Sequence, residues 1–299
     1  MRLAPEVAEA TAAGRPVVAL ESTIIAHGFP SPDNLELGRE MEAAVRNAGA
    51  VPATVALFGG EVRVGLDDSE LERLADSGFV KCSLRDLAAV SAGGGDGATT
   101  VSATAHIARQ AGIDVFATGG IGGVHRRHDD SGPDISADLP ALGRTPILIV
   151  SSGAKSILDL PATLERLETE GVAVAGYRTG ELPAFHTAAS GLQLAHRVES
   201  AAAAAALLRA QRSMGLPGAV LIANPPPGSE ALDRAELDGW IATAEADAAC
   251  GGITGPELTP YLLRRLDHLS GGATTRVNRA LALANARLAA EIAVAFAGS

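Results

Sequence analysis

A chain of 299 residues with 47% apolar side chains and 34 glycines can bury a large core, arranged as one big α/β domain or two smaller ones. Its formal net charge of −11 argues against a nucleic-acid or membrane-surface partner, so an anionic substrate would need local donors acting against the overall field. The first residues lack an apolar signal core and no uninterrupted apolar run approaches membrane-spanning length, so the expected location is the cytoplasm. Cys82 and Cys250 stand far apart without a metal-type neighbour, which points to reduced bystanders.

In chain order, residues 4 to 14 read as an amphipathic helix ended by Gly14-Arg15-Pro16, and Val17 to Leu20 as a strand. Glu21 follows directly, in the loop E-S-T-I-I-A-H-G, where open α/β sheets place ligand sites; a helix cap or a solvated loop charge is the plainer reading. His27 in the same loop would bind phosphate or simply pack. Ser31-Pro32 opens a helix to about Asn47, and residues 53 to 58 and 61 to 66 read as strands joined at Gly59-Gly60. A further helix starts near Asp67. Lys81 would hold a phosphate or carboxylate, or pair locally with Asp86.

Residues 93 to 104 read as a glycine-rich turn running into a helix, whose exposed amides, with the Thr99 and Thr100 hydroxyls, form a cradle for an anion. It is not a P-loop, because no Gly-Lys-Ser/Thr follows. A strand from Asp114 to Thr118 precedes G-G-I-G-G-V-H-R-R, whose glycine spacing fails the dinucleotide fingerprint. The glycines read instead as a pocket wall that lets substrate approach the backbone, with His125 as a contact. Asp134 and Asp138, four apart in D-I-S-A-D-L, would share a face of a helical turn. They would hold a divalent cation together, divide into a metal ligand and a proton-transfer group, or serve only as acidic capping residues.

Ile147 to Val150 reads as a buried strand, and Ser151-Ser152-Gly153 as the turn into a helix carrying Ile157, Leu158, Leu164 and Leu167. Lys155 would then sit in the first helical turn, where the dipole's roughly half positive charge disfavours a cation and favours an amine able to attack a carbonyl carbon. Of the 24 basic residues only Lys81 and Lys155 are lysine, and arginine cannot replace a lysine that must deprotonate; a coding bias with an exposed Lys155 is the competing account. Beyond it lie a strand at 172 to 177, a helix from about Ser200 to Ser213 and a strand from Ala219 to Ala223. The remainder reads as mostly helical, with Asn278 and Asn285 on one side of the last helix as a packing seam or as pocket residues. The absence of a repeat, linker or low-complexity tail favours a single domain spanning 1–299.

Together the motifs resemble the pseudouridine-5′-phosphate glycosidase family, related to the indigoidine synthase A-like proteins. The resemblance rests on A-L-E-S-T-I-I-A-H-G at 19 to 28, K-C-S-L-R-D-L at 81 to 87, G-A-T-T-V-S-A-T at 97 to 104, and G-G-I-G-G-V-H-R, D-I-S-A-D-L and S-G-A-K-S-I-L-D further on. It implies an α/β fold, a three-layer α/β/α domain with a mixed central sheet, assembled as a homotrimer. It also implies reversible cleavage of the C–C glycosidic bond of pseudouridine 5′-phosphate to uracil and ribose 5-phosphate, with a divalent metal, typically Mn2+. The positions matching the family's functional residues are Lys155 for the imine-forming lysine, Glu21 for the acid and Asp134 for the metal ligand. Lys81, Val101 and the Ser136, Ala137 and Asp138 segment match substrate contacts, with Asp138 assisting proton transfer. The sequence departs from the family pattern in four places: the stretch from His125 to Asp134 is about one residue longer, its Arg127-His128-Asp129-Asp130 is unusual, T-G-P-E near 255 carries proline where lysine is common, and V-N-R-A-L replaces a less charged version. An imine-forming aldolase on another sugar phosphate, or a phosphosugar-binding protein, would use the same lysine or loops.

Overall fold

The computed structural model describes residues 1–76, 78–126, 132, 134–253 and 258–298. Its centre is an 11-stranded mixed sheet. Val17–Leu20, Val115–Ala117, Leu148–Ser151, Val220–Ala223 and Ala173–Tyr177 lie side by side and parallel, and Val51–Phe58 extends the row on the far side of Val17–Leu20. Glu61–Val64 and Gly97–Thr99 add antiparallel pairings to Val51–Phe58, which makes the sheet mixed. Six of these strands, Val17–Leu20, Val51–Phe58, Gly97–Thr99, Val115–Ala117, Leu148–Ser151 and Val220–Ala223, are buried at every position, as expected where helices cover both faces.

Alternate strand residues feed two separate cores. Val17 and Ala19 face one with Val7, Val101, Leu142, Leu167, Ile241 and Leu266, whereas Val18 and Leu20 face the other with Leu37, Leu74, Leu208 and Leu281. Helices therefore lie on both sides of the sheet in three layers, as the resemblance implies. Ala273–Ala297 is 25 residues long and apolar enough by composition to cross a membrane, although no uninterrupted apolar run was expected. It is broken by Arg276, Arg279 and Arg287, and it buries one side, from Val277 through Leu281 to Ile292, in the second core.

Four local expectations change. The glycine-rich stretch is partly a strand: Gly97–Thr99 lies between Val51–Phe58 and Val80–Cys82, and pairing on both edges outweighs its poor intrinsic β-preference. Thr23–His27, expected as loop, is a short helix. The strands at 2–3 and 196–198 are too short to show periodicity and form by pairing to existing edges.

The fourth concerns Lys155, which is not in a helix. The helix begins at Leu160 with Asp159 as its cap, accepting from the Ala162 amide at 3.0 Å, and Pro161 in its first turn. Residues 151–159 instead make a turn through Gly153 at φ 82°, followed by the strand Leu158–Asp159. A Cβ at Gly153 would lie 2.4 Å from the Pro183 carbonyl oxygen, so glycine is required there twice over. The helix-dipole argument for Lys155 therefore falls.

Asn285 resolves the question of the last helix. It is fully buried and its Nδ2 reaches the Thr118 carbonyl at 2.9 Å and Ser152 Oγ at 3.1 Å, while Oδ1 accepts from Asn224 Nδ2 at 2.9 Å. It thus pins the carboxyl ends of three neighbouring strands and does not enter the cleft. Asn285→Ala should lower the unfolding free energy by about 3 kcal/mol, read by urea denaturation, because several buried polar groups lose their partner.

Candidate active site

Parallel strands all point their carboxyl ends one way, so the loops after them converge. Here they line a cleft of about 720 Å³. Glu21 enters from the end of Val17–Leu20, Lys81 from Val80–Cys82, and Thr100 with Val101 from the start of the next helix. His125, Asp134, Ser136, Ala137 and Asp138 form the opposite wall, and Lys155 lies on the turn after Leu148–Ser151. Every position that matches a family functional residue therefore faces one space, together with Thr100 and His125.

Glu21 is buried, and its two carboxyl oxygens accept hydrogen bonds from the Thr23 and Thr118 hydroxyls. Burial pushes its pKa above the ordinary glutamate value, against the pull of the Lys155 charge and the two hydroxyls; Asp138 pushes it further up. Such a group keeps its proton to higher pH than a surface glutamate. Although Lys81 as a residue is exposed, the cleft walls desolvate its ammonium and lower its pKa, as does Lys155, with Asp138 and Glu21 opposing. His125 is lowered by burial, while Asp134 raises it and both lysines depress it; its Nε2 meets Thr259 Oγ1 at 3.2 Å.

Asp138 and Asp134 do not share a helical face. Asp138 is the first residue of the helix Asp138–Leu142 and is buried, accepting from the amides of Ser102 at 2.9 Å and Gly122 at 2.8 Å. Asp134 precedes it in extended chain and is exposed; its carbonyl accepts from the His125 amide at 2.9 Å. The two carboxylates line the same cleft without sharing a helical face, and the two amides on Asp138 favour the division into two separate tasks. Among the described residues no group of three or more His, Cys, Asp or Glu converges as a metal cage. One cleft-lining carboxylate, Asp134, suits a hard divalent ion that completes its shell with water and substrate oxygens.

The anion cradle is also narrower than expected. Thr99 Oγ1 turns inward to the Val55 carbonyl at 2.6 Å, and the Ser102 amide at the helix start is taken by Asp138. Thr100 remains at the cleft, 3.0 Å from Ser102 Oγ. Asp86 does not pair with Lys81, because it accepts from the Ser83 amide at 2.9 Å and the Ser83 hydroxyl at 2.6 Å. His27 does not line the cleft; burial and the Lys81 charge lower its pKa. The lengthened 126–133 loop, apart from Arg126 and Gly132, and the T-G-P-E stretch at 254–257 lie outside the described residues.

Sequence reasoning passed over Thr23, Thr118, Arg85, Arg166 and Thr259. It also passed over the buried pair of Ser156 Oγ and His186 Nδ1 at 2.9 Å, next to Lys155. Burial holds the His186 pKa down at about 3, so it is neutral. Thr118, Thr259 and the Ser156–His186 pair act through partners at least 30 residues away, which no local motif signals, whereas Thr23 bonds Glu21 only two residues off.

A profile of the indigoidine synthase A like proteins matches residues 6–295. The chain belongs to this family. It is 52% identical over 295 residues to a Symbiobacterium thermophilum protein named pseudouridine-5′-phosphate glycosidase, covering 97% of this chain and 96% of the relative. A Herpetosiphon aurantiacus protein of the same name is 52% identical over 294 residues, covering 98% and 97%. Among solved structures, the prealnumycin C-glycosynthase AlnA in complex with ribulose 5-phosphate is 44% identical with a TM-score of 0.92, over 99% of this chain and 97% of that one. An indigoidine synthase A-like protein of Thermotoga maritima is 35% identical with a TM-score of 0.87, over 94% and 93%. The α/β fold of this chain is the family fold, and the chain is an enzyme.

Proposed function

We propose that this enzyme reversibly cleaves the C–C glycosidic bond of pseudouridine 5′-phosphate, giving uracil and ribose 5-phosphate. The observation that carries this reading is the convergence of Lys155, the buried Glu21 and Lys81 in one cleft. The names of the relatives support the substrate, and the C-glycosynthase neighbour, in complex with a pentose phosphate, supports C-glycoside chemistry.

A C–C glycosidic bond offers no leaving oxygen to protonate, so a pair of carboxylates alone is insufficient. In this reading Glu21 gives its proton to the ribose ring oxygen as the amine of Lys155 adds at C1′ and the ring opens. Protonation of the uracil at C5 then lets the C1′–C5 pair return to the base, while the Lys155 nitrogen lone pair forms the C1′ imine. Water hydrolyses the imine and frees ribose 5-phosphate and the lysine. In this reading Asp138, fixed by two backbone amides, moves the C5 proton. Lys81 stays charged and holds the phosphate; Thr100, Val101, His125, Ser136 and Ala137 bound the sugar. Asp134 would hold a divalent cation, Mn2+ by family resemblance, which would supply positive charge to the anionic substrate. The same reading carries one domain over 1–299, a homotrimer in solution and a cytoplasmic location.

The test is to incubate the enzyme with pseudouridine 5′-phosphate and Mn2+ and follow uracil and ribose 5-phosphate. Equimolar release supports the proposal. Turnover of only an aldol substrate would point to an aldolase, and binding without turnover to a sugar-phosphate binder. Chelation with EDTA should reduce uracil release about tenfold or more, with recovery on adding Mn2+.

A further inference from the structure

We propose that Thr118 and Thr23 are positioning residues for Glu21, holding its carboxyl by both oxygens and so fixing the pH at which it releases its proton. The proposal deepens the reading of Glu21 as the acid and rests on it. The two hydroxyls come from opposite sides. Thr23 lines the cleft and donates to Oε2, while Thr118, fully buried behind the site, donates to Oε1. With an oxygen held on each side, the carboxyl plane has one orientation, and the O–H it carries as an acid is what the substrate meets.

Thr118 is held more firmly than a hydroxyl on a loop would be. Its amide donates to the Val150 carbonyl at 3.0 Å, and its carbonyl accepts from Asn285 Nδ2 at 2.9 Å. Asn285 is in turn fixed by Asn224 at 2.9 Å. Strand ends from three loops thus lock the donor, so Thr118 cannot follow Glu21 if the carboxyl swings. The pull is in the expected direction: hydroxyl donors favour the ionised form and oppose the upward push of burial, Thr118 more than Thr23. Lys155 also favours ionisation of Glu21, Asp138 opposes it, and the Lys81 ammonium senses Glu21 in turn.

The experiment compares Thr118→Val, which keeps the shape and removes the donor, with Thr118→Ser, which restores the donor, and with Thr23→Val. Glu21 is followed by 13C NMR of glutamate-labelled protein, its carboxyl signal assigned by its loss in Glu21→Gln, and the pH profile of uracil release is recorded in parallel. Thr118→Val should move the Glu21 midpoint and the basic limb of kcat/KM upward by about one pH unit. Thr23→Val should move both less, and Thr118→Ser should return both to the native values. A folded Thr118→Val protein whose Glu21 titrates as in the native enzyme would overturn the proposal. An active Glu21→Gln enzyme would remove the acid role instead, while the carboxyl signal still reports whether the threonines hold it.

Discussion

Lys155→Ala is expected to lower uracil release by about 10⁴-fold or more, the scale of losing a covalent nucleophile, with the thermal midpoint close to that of the native enzyme. Lys155 is half-buried on the turn after Leu148–Ser151, and its backbone amide bonds the Ile121 carbonyl at 3.2 Å, a contact that alanine retains. The turn itself is shaped by Gly153 and by Ser156 on His186, neither of which needs the Lys155 side chain. Lys155→Arg should be as inactive, because guanidinium does not lose its proton near neutral pH. Intact-protein mass spectrometry after ribose 5-phosphate and borohydride should show a pentose phosphate adduct on the native enzyme and none on either variant. Retained turnover in Lys155→Arg would remove the imine from the mechanism.

The second large effect is expected from a residue with no side chain. A Cβ on Gly122 would fall 2.2 Å from Ser136 Oγ and 2.9 Å from Asp138 Oδ2, distances no packing tolerates. Gly122→Ala must therefore displace the loop whose amide binds Asp138 at 2.8 Å, loosening the carboxylate and the Ser136 to Asp138 wall together. A shift of about 1 Å in a catalytic group costs on the order of 100-fold in rate, so kcat should fall by about that factor. The strain adds a stability loss of about 1–3 kcal/mol, measurable by urea denaturation. Gly180→Ala is the control, since its φ, like that of Gly122, lies outside the left-handed region and its Cβ would meet nothing within 4 Å. If Gly122→Ala loses stability and keeps its kcat, Asp138 has no part in the chemistry.

Much of the site was legible one motif at a time. Glu21 follows a wholly apolar strand, which forces it to the strand's carboxyl end, and the glycines around Gly120 and Gly122 signalled a wall where backbone and neighbours come close. A Cβ at Gly120 would lie 2.5 Å from the Phe185 ring. The Lys155 helix misread has a plain cause. Ile157, Leu164 and Leu167 keep a helical spacing, but Leu158 belongs to the strand paired with His125, and the helix waits for the Asp159 cap. The Asp134 and Asp138 pairing failed for a related reason: a spacing of four means a shared face only if the chain is helical between them, and here Ile135 bridges Val124 as a strand residue and only Ala137, at the cap, is helical.

The sequence by itself determined the alternation of strand and helix, the burial of the parallel strands and which residue types reach their carboxyl ends, because hydrophobic period and turn chemistry are local properties. Its ordered motifs also determined the family. Tertiary structure alone decided what those residues meet: Thr118 and Thr23 on the Glu21 carboxyl, two backbone amides on Asp138, and the pairing that turns Gly97–Thr99 from loop into strand. Apart from Thr23, two residues from Glu21, such contacts join positions 16 to 97 residues apart, and no local pattern encodes a partner that distant. They also set the protonation of Glu21 and Lys81, since desolvation and neighbouring charge exist only once the chain has closed around them.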